Sequence, residues 1–287
     1  LKEFSERFPD RFFDVGIAEE FAVTFAGGMA KGGLIPVFAV YSTFLQRTYD
    51  EIVHDVAMQN QKVVLAIDRA GFVGDDGRSH QGIFDLAFLR TIPNSVIYSP
   101  STYKGVGQFL YRALYDDGKV IAVRYPRGKQ GYIPDDFNQN TYDDYTVLDG
   151  EEYYAGTPME SRKPDACLVT FGSLFPEAAK ARDELKDAGK RVRIIKLNKV
   201  WPINEGAVKA ALDCDRVLFY EEGAKSGGIG ESYGYQLLQH KFEGEYRYIA
   251  VDNTFVHHAK QDALRAEFGI DAASMVRDVK GGDHESE

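Results

Sequence analysis

The sequence has little of several features that would assign a protein to a familiar class. Its 287 residues include two cysteines, Cys167 and Cys214, and both lie in apolar, strand-like contexts. We therefore interpret them as reduced core residues, and not as a disulfide or a metal-binding pair. The chain has no apolar run of 18 residues and no recognisable signal peptide. These absences favour a cytoplasmic protein that is not inserted in a membrane.

Basic residues are also in deficit. There are 34 Lys and Arg against 44 Asp and Glu, which gives a formal net charge of −10. This balance argues against nucleic acid as the main partner. A local cluster of arginines could still bind an anion, so the net charge does not define the substrate.

Several catalytic and nucleotide-binding motifs are missing. The sequence has no Gly-x-Gly-x-x-Gly after a strand, no Walker loop, no Gly-x-Ser-x-Gly and no His-Glu-x-x-His. The run Asp75-Asp76-Gly77 lacks the glutamate that an EF-hand loop would need. We predict no metal site in this chain.

Apolar strands alternate with helices along most of the sequence, a pattern typical of parallel sheets covered on both faces. We predict two doubly wound α/β domains with mainly parallel sheets. The predicted segments are a first domain at 1–130, a linker at 131–164, a second domain at 165–280 and a disordered tail at 281–287. Within the linker we expect one hairpin, formed by Tyr145–Leu148 and Glu152–Ala155.

The first stretch of interest runs from Asp14 to Glu20. The apolar run Phe12–Val15 predicts a strand and Ala18–Lys31 predicts a helix, so Glu19 would lie in a first helical turn just past a strand. Open α/β sheets bind their ligands at such positions. An acid in a first turn can also simply complement the positive end of the helix, and the residues alone leave both interpretations open.

A second stretch follows the predicted strand Ile35–Tyr41. Tyr41, Phe44 and Arg47 are spaced three residues apart, which places them on one face of a helical turn. An aromatic platform beside an arginine suits a flat heterocycle next to a phosphate. The alternative is an ordinary helix start with a core phenylalanine and a solvated arginine.

The third stretch, Asp68–Gly82, follows another predicted strand, Val63–Ile67, and its glycines predict a loop. His80 is the natural acid–base candidate, and Asp76 or Asp75 could orient it. A flexible surface loop is the alternative.

Arginines recur at the predicted edge. Arg127 follows the predicted strand Val120–Arg124 and joins Arg47 and Arg69 there. Three arginines at the ends of parallel strands indicate an anion pocket, most simply for a phosphate.

Together these stretches resemble a known family. The segments "RFFDVGIAEEFAVTFAGGMAKGG", "VYSTFLQRTYDEIVHDVAMQN", "DRAGFVGDDGRSHQGIFDLAFLRTIPN" and "RYPRG" are similar to the pyrimidine-binding domain of 1-deoxy-D-xylulose-5-phosphate synthases. From about Asp165 the chain resembles a transketolase-type C-terminal domain. The resemblance implies a thiamine diphosphate-dependent, dimeric transferase that joins pyruvate, with decarboxylation, to D-glyceraldehyde 3-phosphate for isoprenoid and thiamine precursor synthesis.

The resemblance also implies roles for individual residues. Glu19 would activate the cofactor through its pyrimidine ring, on which Phe44 would stack. Ile17 would also contact the cofactor. His80 would be the proton-transfer group. The substrate-binding residues would be Tyr41, Arg47 and Arg127 at the phosphate, with Arg69, Asp76 and His80 lining the acceptor site.

The chain departs from the family pattern in places. Glu20-Phe21 stand where Gln-His is usual, Arg78-Ser79 stand where Pro-Thr is usual, and "FVHHAKQD" replaces a Pro/Glu-His-Gly-Ser pattern. The family's Gly-Asp-Gly…Asn motif, which holds Mg²⁺ and the diphosphate, is absent. We therefore expect a fragment or a split subunit that binds only the pyrimidine half of the cofactor. Mg²⁺ would lie in a missing N-terminal domain or subunit, and cofactor binding by the chain alone would be weak.

Two other functions remain open. One is a split transketolase or the beta subunit of a 2-oxo acid dehydrogenase, against which the "YSTFLQR" and "DRAG" stretches argue. The other is a non-catalytic scaffold that only dimerises. The presence of Glu19, Phe44, Arg47, His80 and Arg127 argues against a decayed site.

Overall fold

The computed structural model describes residues 1–138, 140, 142–149 and 163–281, without the side chain of Asp75. These residues form two five-stranded, mainly parallel sheets with helices packed on them, which confirms the predicted fold class. The predicted strand Glu152–Ala155 and the tail beyond residue 281 lie outside the described residues. No described helix is long and apolar enough to cross a membrane.

The strands are β1 (Val37–Tyr41), β2 (Val63–Asp68), β3 (Ser95–Tyr98), β4 (Val120–Arg124), β5 (Tyr145–Leu148), β6 (Ala166–Phe171), β7 (Val192–Leu197), β8 (Lys199–Trp201), β9 (Arg216–Ala224) and β10 (Glu245–Val251). The α-helices are α1 (Lys2–Arg7), α2 (Glu19–Lys31), α3 (Ser42–Leu45), α4 (Tyr49–Glu51), α5 (Asp85–Leu89), α6 (Tyr103–Tyr115), α7 (Phe175–Asp187), α8 (Glu205–Lys209), α9 (Ile229–Gln239), α10 (Gln261–Glu267) and α11 (Ala272–Lys280).

The first sheet has the order β1-β2-β4-β3-β8, and only β8 runs antiparallel to its neighbour. Strands β2 and β4 are central and apolar, so both of their faces are covered. The register pairs Tyr41 with Asp68 and Ile67 with Arg124. The carboxyl ends of β1, β2 and β4 therefore lie side by side at one edge of the sheet.

The predicted strand Phe12–Val15 is wrong. These residues form no strand, and Phe13 is largely exposed, with its ring edge-on to Phe25 at 5.4 Å between centroids. The apolar run packs locally on α2 instead of joining a sheet. The helix that follows is confirmed, and Glu19 is its first residue.

The helical segment that follows β1 is a composite. It begins at Ser42 and passes through a 3₁₀ turn at Gln46–Thr48 and a π-helical turn at Ile52–Ala57. Local changes of this kind in helical pitch are frequent near functional sites.

The second sheet has the order β10-β9-β6-β7-β5 and is parallel except for β5. The predicted strand Tyr145–Leu148 is confirmed, and it pairs with β7. Strand β8 was not expected, because it is only three residues long and begins with Lys199, so it shows no alternating pattern. It pairs with β3, so a strand from the second half of the sequence completes the first sheet.

A lysine with no acidic partner among the described residues lies in the core of the second half. Lys196 of β7 is fully buried, and its ammonium group donates to Asn198 Oδ1. The same group lies 5.5 Å and 5.7 Å from the ring centroids of Phe137 and Phe175. Burial lowers the pKa of Lys196 to about 7, because the aromatic rings and one amide oxygen replace water only in part.

This lysine makes the stability depend on pH. Between pH 7 and the unfolded-state pKa of Lys near 10.4, the unfolded chain holds a proton that the folded chain lacks, so the free energy of unfolding rises with pH. We expect the wild type to gain about 2 kcal/mol from pH 7 to pH 9 relative to Lys196→Met. Urea unfolding at both pH values measures this. The exposed Lys209→Met is the control, and equal pH slopes in wild type and Lys196→Met would contradict the prediction.

Candidate active site

Eight of the predicted site residues converge at the edge formed by the carboxyl ends of β1, β2 and β4. They come from three adjacent strand ends and from the start of α2, and each contacts at least one other member of the set. They are Glu19, Tyr41, Phe44, Arg47, Arg69, Asp76, His80 and Arg127. Parallel sheets bind ligands at this edge, so the convergence defines a candidate active site.

An aromatic and ionic chain forms one side of the site. The rings of Tyr41 and Phe44 are stacked with their centroids 5.6 Å apart, and the guanidinium of Arg47 lies 5.4 Å from the Phe44 centroid. Arg47 Nη1 donates to Glu19 Oε2 at 3.1 Å. Tyr41, Phe44 and Arg47 therefore contact one another in series, as their spacing predicted. Arg47 links the two aromatic rings to Glu19 at the start of α2.

Glu19 itself is sheltered. Its side chain is 13% exposed, whereas Glu20, the next residue in the same helical turn, is exposed. Arg47 binds one carboxylate oxygen, and the other has no partner among the described residues. Glu19 can therefore accept a hydrogen bond from a ligand without giving up its ion pair.

The other side of the site is a charged cluster around Asp76. Arg69 Nε donates to Asp76 Oδ2 at 2.9 Å, and Arg127 Nη1 donates to the second oxygen, Oδ1. Burial alone would raise the pKa of Asp76, but the hydrogen bonds from Arg69 and Arg127 outweigh it and lower that pKa. The Arg69 guanidinium also lies over the Tyr41 ring, 3.7 Å from its centroid, which joins the two sides of the site.

His80 lies between these two sides. Its ring is edge-on to Phe44, with centroids 5.4 Å apart, and its Nδ1 is 3.0 Å from Ser79 Oγ. Asp76 does not orient His80 in this structure: its carboxylate oxygens accept from Arg69 and Arg127, and it makes no described hydrogen bond to the imidazole. The other suggested acid, Asp75, has no described side chain, so that alternative stays a prediction. Among the described side chains, the hydroxyl of Ser79 is the hydrogen-bonding partner of the imidazole.

The two ends of the loop that carries Asp76 and His80 are hydrogen-bonded to each other. Gly71 and Gly82 exchange two backbone hydrogen bonds, of 2.7 Å and 2.8 Å. Gly71 has φ +86°, and a Cβ atom there would lie 2.2 Å from Glu222 Oε2. A side chain at position 71 would therefore strain the backbone and displace a carboxylate of the second half.

Two glutamines, to which the sequence assigned no role, hold this loop in place. Gln81 Oε1 accepts from the amide of Val73 at 3.0 Å, and Gln81 Nε2 donates to the carbonyl of His257 at 3.1 Å. Gln261 Nε2 donates to the carbonyls of Phe72 and Arg127, at 2.5 Å and 3.2 Å. Gln81 could have been suspected from its place beside His80, but nothing in the sequence indicated Gln261.

Ile17 does not join this set of contacts. It lies in the segment before α2 and is 88% exposed, so its assignment to the cofactor stays a prediction. Within the part of the chain that the structure describes, no group of three or more His, Cys, Asp or Glu side chains is placed to hold a metal ion.

Removing the charge of Asp76 should release the loop. In Asp76→Asn, Arg69 and Arg127 lose a shared carboxylate, and each charge-assisted hydrogen bond contributes about 1.5–3 kcal/mol. We expect hydrogen exchange of the amides in 70–82 to accelerate about tenfold or more, measured by mass spectrometry. The exposed Asp10→Asn is the matched control. Unchanged protection of 70–82 in Asp76→Asn would show that Asp76 does not anchor the loop.

Two family models match the two halves of this chain. Residues 1–131 match the family described as transketolase, pyrimidine binding domain, and residues 156–275 match transketolase, C-terminal domain. A 1-deoxy-D-xylulose-5-phosphate synthase of Shigella dysenteriae serotype 1 is 41% identical over 281 residues, covering 98% of this chain and 43% of that protein. The synthase of Halalkalibacterium halodurans is 39% identical over 281 residues, with coverages of 97% and 43%. The chain thus spans less than half the length of these relatives.

Solved structures show the same fold. A structure titled "Split gene transketolase, inactive beta4 tetramer" superposes with a TM-score of 0.81 at 23% identity, over 98% of this chain and 86% of that one. A transketolase from Campylobacter jejuni gives 0.73 at 17% identity, over 93% and 39%. At these identities the likeness concerns the fold alone. From the two family matches, the chain contains a transketolase pyrimidine-binding domain and a transketolase C-terminal domain.

Proposed function

We propose that this chain is the C-terminal part, or a split subunit, of a thiamine diphosphate-dependent 1-deoxy-D-xylulose-5-phosphate synthase. The reaction joins pyruvate, with loss of carbon dioxide, to D-glyceraldehyde 3-phosphate. The observation that carries the proposal is the continuous set of contacts from Glu19 through Phe44 to the arginines around Asp76. The identity of 39–41% to such synthases supports it.

The side chains around Glu19 fit the pyrimidine ring of the cofactor. A ring nitrogen needs a carboxyl group to share a hydrogen bond with, and Glu19 has one oxygen without a partner among the described residues. A flat ring needs an aromatic neighbour, which Phe44 provides beside the same arginine. Bound there, thiamine diphosphate supplies a nucleophilic carbon that can attack a carbonyl group.

Arg47 has a positioning role towards Glu19 in this proposal. An exposed glutamate would be free to change rotamer, but the 3.1 Å ion pair restricts Glu19 to one orientation. Arg47 also partly neutralises the charge of the sheltered carboxylate, which lowers the cost of its burial. Glu19 can then share a proton with the ring nitrogen.

The acceptor aldehyde would bind on the other side of the site. Arg69 and Arg127 carry two positive charges and Asp76 carries one negative charge, so this cluster keeps a net positive charge. A phosphate dianion is attracted to it and competes with Asp76 for the arginine donors. His80, held by Ser79, is the group that can exchange a proton with the acceptor carbonyl oxygen.

The remaining length of the relatives suggests what must complete the site. We propose that the diphosphate and Mg²⁺ are held by a further domain or subunit, and that the active assembly is a homodimer. We expect the chain by itself to bind thiamine diphosphate only weakly, and calorimetry on the 287-residue polypeptide measures this.

The choice of donor separates this function from its rivals. With the chain joined to the N-terminal domain of a related synthase, we expect pyruvate and D-glyceraldehyde 3-phosphate to give product and carbon dioxide. A ketose phosphate offered in place of pyruvate should not react. The opposite preference would assign a split transketolase, and reduction of a lipoyl acceptor with pyruvate would assign a 2-oxo acid dehydrogenase subunit.

Replacing Glu19 tests the cofactor role. Glu19→Gln keeps the shape but cannot exchange a proton with the ring, so kcat of the completed enzyme should fall about a hundredfold or more. Glu20→Gln, in the same helical turn but exposed, is the matched control and should keep wild-type turnover. If turnover survives in Glu19→Gln, the non-catalytic scaffold becomes the better explanation.

A further inference from the structure

A cavity next to Arg127 of the candidate active site lies between the two halves of the chain. It has a volume of about 310 Å³, at the lower end of ligand-pocket sizes. Residues that follow β3 and β4 line one side, and residues of α7 and α10 line the other. Of the candidate active-site residues, Arg127 alone also lines this cavity.

The cavity carries an excess of positive charge. Its cations are Arg127, Lys129 and Arg265, and its acid is Glu177. Glu177 is already engaged: one oxygen is 2.8 Å from the ammonium group of Lys180. Its other oxygen accepts from a backbone amide of α11 at 3.2 Å. Its charge is therefore partly compensated from outside the cavity.

The three cations differ in how free they are. Arg265 is fixed by Glu222 Oε1 at 2.8 Å. Arg127 uses one nitrogen on Asp76 and is 41% exposed, so it keeps other donors available. Lys129 is exposed and has no ion-pair partner within the described ranges. Arg127 and Lys129 can therefore both donate to an incoming anion.

The rest of the cavity lining suits the uncharged part of a ligand. Pro100, Val106 and Pro176 offer apolar surface, and the ring of Tyr103 lies at the rim. Ser101 Oγ is buried there without a hydrogen-bond partner among the described atoms, which leaves a polar group that a ligand could satisfy.

We propose that this cavity binds a small organic phosphate monoester with an apolar or aromatic tail. The phosphate group lies between Lys129 and Arg127, and the tail packs on Val106 and Pro176. Because Arg127 also donates to Asp76, an anion in the cavity draws on the same guanidinium that anchors the active-site loop. The cavity is thus coupled to the acceptor side of the active site. The inference shares Arg127 with the proposed acceptor site, but its test measures binding and does not depend on synthase activity.

Isothermal titration calorimetry of the 287-residue chain with phenyl phosphate tests the site. We expect one equivalent to bind and the affinity to fall about tenfold in Lys129→Ala, which removes one charge-assisted hydrogen bond. Lys104→Ala removes an exposed lysine of α6 that does not line the cavity, and it should bind like the wild type. Asp76→Asn, which frees Arg127, should bind more tightly.

Any of four results would overturn the proposal. Absence of binding, or equal affinity in Lys129→Ala and wild type, removes the site. Loss of binding in Arg47→Ala, which lies on the candidate active site and not in the cavity, would assign phenyl phosphate to the active site. A weaker affinity in Asp76→Asn would remove the coupling through Arg127. None of these measurements requires turnover, so failure of the synthase proposal would leave the cavity proposal standing.

Discussion

The carboxylate of Asp76 between two arginines is the interaction on which the candidate site depends. Arg69 follows β2 and Arg127 follows β4, and because these strands are neighbours the two cations meet at one edge of the sheet. Without an acid between them they would repel each other. Asp76 balances one of the two charges and ties the loop to the sheet. The donors that anchor the loop are therefore the same ones that the proposed acceptor phosphate would use.

The second half of the chain supports this loop from behind. Gln261 fixes two backbone carbonyls of the first half, and the carboxylate of Glu222 occupies the space that a side chain at Gly71 would need. Two departures from the family pattern also meet here: the guanidinium of Arg78 lies 5.1 Å from the ring centroid of Phe255. Such a contact is a favourable cation–π pair. These two unusual residues thus contact each other across the two halves of the chain.

The sequence predicted what depends on local pattern and missed what depends on distant partners. Strands Val120–Arg124 and Tyr145–Leu148 were located to the residue, and the strand ends led to the site residues. The apolar run Phe12–Val15 looked like a strand, but pairing requires a neighbour that it does not have. Strand β8 has that neighbour in β3, far away in the sequence, and shows no pattern of its own. The hydrogen bonds of Asp76 could not be foreseen for the same reason: the sequence suggested His80 as its partner, and only the fold selects the arginines.

For Glu19 the sequence left two explanations open, a charge that complements the helix end and an acid that binds a ligand, and the structure favours the second. An acid that only complements a helix terminus gains its modest stabilisation while exposed, as Glu20 does in the same turn. Glu19 is sheltered, and burying a carboxylate is unfavourable unless it is paired. Arg47 provides the pair but occupies one oxygen, which leaves the second oxygen without a partner among the described residues. A helix-end charge does not need that arrangement, whereas a group that must present one oxygen to a flat ring does.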